Sequence, residues 1–93
     1  MNAMLESSSR IEDETLSNLQ ENFEALEVLF SRYRRVLSFV AYRVLGNHEG
    51  AEHAVQNCFR AASDNVPRFE SEGAFRSWLV RVLIDEAVTI LAR

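Results

Sequence analysis

Few side chains here could do chemistry beyond packing: His48, His53, the single cysteine Cys58, and the neighbouring carboxylates Glu49 and Glu52. Their donor types would suit a zinc-like ion, but their spacing does not. On a helix His53 and Cys58, five residues apart, point to different sides. The same separation rules out a thiolate activated by an imidazole, which needs both groups within hydrogen-bond reach. The carboxylate run Glu12, Asp13 and Glu14 lies in the leading segment and reads as a solvated face. There is no Gly-rich phosphate loop, no Walker pattern and no Gly-x-Ser-x-Gly elbow. The expectation is therefore not an enzyme, with no metal site, no cofactor and no small-molecule substrate. What remains is binding.

The residues that bind must be positioned by helices. Phe23, Leu26, Phe30, Tyr33, Leu37, Val40 and Val44 recur at alternating spacings of three and four, a heptad stripe. Leu29, Val36, Ala41 and Leu45 widen it to the broader face a globular bundle needs. Gly46 can take the left-handed conformation that ends a helix, and Asn47 can cap the next one. Glu49 then sits where a negative charge complements the helix dipole. A second helix is predicted roughly over His48 to Ser63, burying Ala51, Ala54, Val55, Cys58, Phe59 and Ala62. Asp64-Asn65-Val66-Pro67 stops it, because proline disfavours helical geometry in the preceding residue. A third helix starts between Ser71 and Ala74, with Ser71 as its cap. It buries Phe75, Trp78, Leu79, Val82, Leu83, Ala87 and either Ile90 or Leu91. No period-two strand pattern and no internal repeat is present. The expected fold is all-α, a compact three-helix bundle, with a short extra N-terminal helix that Ile11, Leu16 and Leu19 could form.

Ninety-three residues suffice for one small domain and a single core. A composition of 47% hydrophobic and 26% charged residues places the chain among globular proteins, not disordered ones. No apolar run approaches the roughly 18 residues that span a bilayer. The start, Met1-Asn2-Ala3-Met4-Leu5-Glu6, has neither the basic nor the apolar region of an export signal. Cys58 has no partner for an internal disulfide and reads as a small core residue, which fits a reducing cytoplasm. The net charge of −4 is uneven: residues 1–27 carry seven acids against Arg10, and residues 28–93 carry seven acids against nine arginines. Residues 1–20 are thus expected as an acidic leader, partly disordered or a short helix, ahead of a mildly basic helical domain over 21–93. Every basic residue is arginine, a side chain suited to phosphate and carboxylate pairing but also produced by a GC-rich coding bias.

Three motifs stand in order along the predicted helices. The first helix carries Phe23-Glu24-Ala25-Leu26, Tyr33 and Leu37 and closes on Leu45-Gly46-Asn47. The second carries Ala51-Glu52-His53-Ala54-Val55-Gln56-Asn57-Cys58-Phe59, and the third Phe75-Arg76-Ser77-Trp78-Leu79-Val80-Arg81-Val82. Each is weak alone; together the arrangement resembles region 2 of bacterial sigma factors of the extracytoplasmic-function group, within the sigma-70 family. The resemblance implies a promoter-specificity subunit of transcription initiation that binds RNA polymerase core and recognises and melts the promoter −10 element. It implies that Glu52, Gln56 and Asn57 dock on the clamp helices of the largest polymerase subunit. Glu52 and Gln56, at i and i+4, can pair with arginines on a partner helix. It further implies that the corner before the third helix holds an unpaired, flipped base. Phe69, Ser71 and Glu72 would lie in that loop, Arg76 and Arg81 would meet backbone phosphates, and Asp85 would stand near the base. An anti-sigma protein covering these surfaces is implied by the family alone.

The departures from the family pattern point to altered DNA contact. Gly50, His53 and Asn57 replace acids usual in the second motif. Asp85 stands where an asparagine is usual, and an ionised carboxylate repels phosphate and cannot donate a hydrogen bond. Ile84 also departs, and Ile90-Leu91-Ala92-Arg93 lacks the usual basic cluster, so counterion-release energy is lost. These features define the alternative, a divergent helical interaction module that keeps the fold and binds polymerase or another protein without recognising promoters. Family members continue into a linker and a −35-reading helix-turn-helix, so a chain ending at Arg93 is expected to be an excised domain.

Overall fold

The computed structural model describes residues 23–93. Three helices follow one another: α1 over Phe23–Leu45, α2 over His48–Asp64 and α3 over Glu72–Leu91. Every pair of helices is in contact, so the architecture is an all-α three-helix bundle, as the periodicity predicts. The acidic leader and the short helix expected from Ile11, Leu16 and Leu19 lie outside the described residues.

The link between α1 and α2 is two residues long and chemically explicit. Gly46 adopts φ +77°, the left-handed region open to glycine, and its N–H donates to the Tyr42 carbonyl at 2.7 Å. That bond satisfies one of the carbonyls a helix end leaves without a partner. Asn47 turns to extended geometry and its Oδ1 accepts the Gly50 N–H at 2.6 Å. A Cβ on residue 50 would meet that oxygen at 2.9 Å, so glycine at this position lets the cap close tightly. So short a connection forces α1 and α2 antiparallel. Ring contacts at both ends agree: Tyr42 with His48 at 4.7 Å near the link, Phe30 with Phe59 at 4.8 Å far from it.

α2 buries mostly small side chains: Ala51, Ala54, Val55, Cys58 and Ala62. Their size lets the neighbouring helices approach closely, so larger residues from α1 (Leu26, Leu29, Phe30, Leu37) and α3 (Phe75, Leu79, Leu83) fill the centre. Each such leucine contributes about 1.5–3 kcal/mol by leaving water. No polar or charged residue is buried among those described. Cys58 is sealed at the α2–α3 contact, with its thiol 3.6 Å from the Leu79 carbonyl and pushed up to about 12 chiefly by burial.

One expectation of the core stripe needs correction, and one left open is decided. Val36 is exposed, because α1 has two neighbours and residue 36 faces neither. Of the pair Ile90 and Leu91, it is Ile90 that packs against the core, while Leu91 is exposed.

Candidate functional site

The antiparallel pair α1 and α2 leaves an open groove of about 680 Å³ on the surface. Glu52 and Gln56, one helical turn apart and both exposed, line it from α2. Arg34, Phe39 and Tyr42 line it from α1, and His48 closes one end against Tyr42. Phe39 is 65% exposed, too much apolar surface for one side chain to be read as part of the core. The arrangement is a carboxylate, an amide and a guanidinium around two accessible rings, the make-up of a protein-docking surface with an aromatic anchor and a polar rim. Asn57 is placed elsewhere. It is half-buried and borders a smaller cleft of about 350 Å³ with Arg60 and Glu86, on the α2–α3 side. The structure therefore joins Glu52 to Gln56 and separates both from Asn57.

Helical periodicity does not point to Arg34, Phe39 and Tyr42 as members of this groove. The available signal was that Phe39 and Tyr42 are aromatic yet fall outside the heptad stripe.

The second candidate region is the corner between α2 and α3. Asn65 ends α2 in a non-helical conformation, and Ser71 starts α3 by accepting the Ala74 N–H at 3.1 Å. Phe69 folds inward: its ring lies 5.3 Å from Phe75, edge-on, and 5.1 Å from Trp78. Phe69 and Trp78 are half-buried and Phe75 is fully buried, so all three rings belong to the packing of the corner. Glu72, in the first turn of α3, points back to α1. One carboxylate oxygen accepts from the Arg32 guanidinium and the other from the Tyr33 hydroxyl. Burial, then the hydrogen bond and negative charge of Glu72, push the Tyr33 phenol from 10.0 up to about 12. Ser71, Arg76, Arg81 and Asp85 are exposed. Along α3, Arg81 and Asp85 share a row, being four apart, whereas Arg76 lies on the side nearer Tyr33.

The family model for sigma-70 region 2 matches residues 29–93, most of α1 and all of α2 and α3. The chain belongs to the sigma-70 region 2 family. Neither a curated protein nor a solved structure matches it. Sigma-70 region 2 is a module of transcription initiation factors and not of enzymes, and the three-helix bundle is its fold. The histidine and cysteine considered for metal or nucleophilic chemistry are kept apart in this sigma domain, His53 exposed and Cys58 sealed in the core. No helix among the described residues is long and apolar enough to cross a membrane.

In this sigma domain α3 is apolar on two sides. Leu79, Leu83 and Ala87 face the core, while Ile84, Val88 and Leu91 form an outward stripe at i, i+4 and i+7.

Proposed function

We propose that this domain is the region 2 module of an extracytoplasmic-function sigma factor that docks on RNA polymerase core and holds the melted −10 element of promoters. The observation that carries the docking half is the row of Glu52 and Gln56 beside the exposed rings of Phe39 and Tyr42. An arginine-bearing helix, such as a clamp helix of the largest polymerase subunit, finds there both charge partners and an aromatic anchor. The DNA-capturing half rests on the corner and on α3. Ser71, Arg76 and Arg81 offer exposed donors to a single strand, and exposed Asp85 weakens the grip on phosphate. In this reading Phe69 supports the corner from inside, its ring taken up by Phe75 and Trp78. The cytoplasm is where such a subunit would meet polymerase, and an anti-sigma protein would act by covering the same two surfaces.

The deciding experiment is the affinity of the purified chain for bacterial RNA polymerase core, with Gln56→Ala alongside. Saturable binding that weakens in the variant while its helical content is unchanged supports the groove. Equal affinities would remove Gln56 from the interface, and no binding by either protein would remove polymerase docking altogether. Asp85→Asn extends the test to DNA: it should strengthen binding to single-stranded oligonucleotides by withdrawing a repulsive charge.

A further inference from the structure

Two anchors of different chemistry hold the corner between α2 and α3. The first is apolar: Phe69 is lodged against Phe75 and Trp78, and releasing it would open the core. The second is polar and superficial. Glu72 reaches across to α1 and receives hydrogen bonds from Tyr33 and Arg32, some forty residues earlier in the chain. Its side chain keeps a quarter of its surface in contact with solvent, so this anchor can be released without unfolding the bundle. Glu72 also sits in the first turn of a 20-residue helix, where the dipole favours a negative charge. That makes a carboxylate the appropriate group for the tie.

We infer that Tyr33 and Glu72 are a positioning pair: the Tyr33–Glu72 hydrogen bond fixes the start of α3 against α1 and so sets the corner's grip on unpaired DNA, without either residue touching it. The pair has two effects. Both carboxylate oxygens are committed to α1, which fixes the direction in which Ser71, Gly73 and Ala74, all exposed, present themselves. The Arg32 guanidinium also neutralises an acid that would otherwise face the incoming phosphates. A carboxylate with both oxygens engaged is poorly suited to contact a base, so Glu72 acts through the corner and not on the strand. This inference rests on the proposed DNA-holding role of the corner.

The test compares Tyr33→Phe and Glu72→Gln with the unaltered chain in three measurements. These are binding of a randomised single-stranded DNA oligonucleotide pool across a salt series, affinity for polymerase core, and the ultraviolet titration of the tyrosines. Losing one charge-assisted hydrogen bond in Tyr33→Phe should lower DNA affinity roughly 3- to 10-fold, and Glu72→Gln, which loses the Arg32 ion pair as well, should also bind less tightly. The salt slope should not change in Tyr33→Phe, which alters no charge and removes no phosphate contact. Polymerase affinity should stay level, since neither residue lines the α1–α2 groove. In Glu72→Gln the high-pH tyrosine transition should move down, reporting that the tie itself is lost. If Glu72→Gln strengthened DNA binding and changed the salt slope while Tyr33→Phe did nothing, Glu72 would face the strand directly and the positioning role would be wrong. Equal DNA affinities in all three proteins would also overturn it. An unaltered chain that binds polymerase but no oligonucleotide would remove the DNA-holding reading, and the inference with it.

Discussion

The two corners of the bundle solve the same problem by different means. Between α1 and α2 the chain turns in two residues, and every bond that shapes the turn comes from within a few positions: Tyr42, Gly46, Asn47 and Gly50. Between α2 and α3 the turn takes residues 65–71, and besides its local Ser71 cap it is held by contacts of longer reach, one of them from α1. Phe69 rests on Phe75 and Trp78, and Glu72 is held by Arg32 and Tyr33. A turn closed by local bonds is rigid wherever it is placed. A turn held by distant contacts takes its shape from the whole bundle, and that shape can be adjusted one contact at a time. The first suits an element that merely joins two helices; the second suits a surface whose form has to be set.

The sharpest way to break this contrast is Phe75→Ala. Phe75 is fully buried and touches the rings of Tyr33, Phe69 and Trp78, so the variant should lose about 3–5 kcal/mol in urea unfolding. A loss well under that would mean the long corner is not anchored through this ring. Gly46→Ala comes next. Nothing lies within 4 Å of an added Cβ, so its cost is backbone strain alone, about 1–2 kcal/mol. Gly46→Asn should lose less in the same urea unfolding, because asparagine tolerates left-handed geometry. The two caps should behave alike: Asn47→Ala and Ser71→Ala each remove one side-chain acceptor and should cost about 1 kcal/mol. A much larger loss at Ser71 would show that the long corner too is governed locally.

Tyr33→Phe should cost about 0.5–1.5 kcal/mol at neutral pH, in the same range as the caps. Its pH dependence is more telling. The folded-state value is raised from 10.0 to about 12, so Tyr33 stabilises the fold fully below pH 10 and loses that contribution as pH climbs toward 12. Unfolding measured across that window should show a shallower alkaline decline in the variant, leaving the part due to Cys58.

Much of the framework is legible in the sequence. Gly46, Asn47 and Ser71 mark helix ends because their chemistry is local, and all three act as expected. The alternation of threes and fours found Leu26, Phe30 and Leu37, and the small residues of α2 announced a close helix contact. Periodicity failed where it had to decide how wide a buried face is. Val36 sits at the edge of the stripe, and only the number of neighbouring helices determines that it faces water. The candidate site was legible in part. Glu52 and Gln56 were recognisable from their motif, but Phe39 and Tyr42 join them only because the tight hairpin brings two outward faces side by side. Glu72 was assigned to the corner, whereas its ties to Arg32 and Tyr33 span some forty residues and leave no local trace.

The lone thiol gives the molecule a built-in clock. Cys58 is wholly enclosed, its acidity suppressed by burial, and it lies between α2 and α3 instead of at either corner. A thiol reagent can reach it only when those helices part, so its labelling rate times the opening of the whole bundle. Fraying of the 65–71 corner alone would leave that rate untouched. One reagent and one reactive atom therefore distinguish a surface that flexes from a fold that opens.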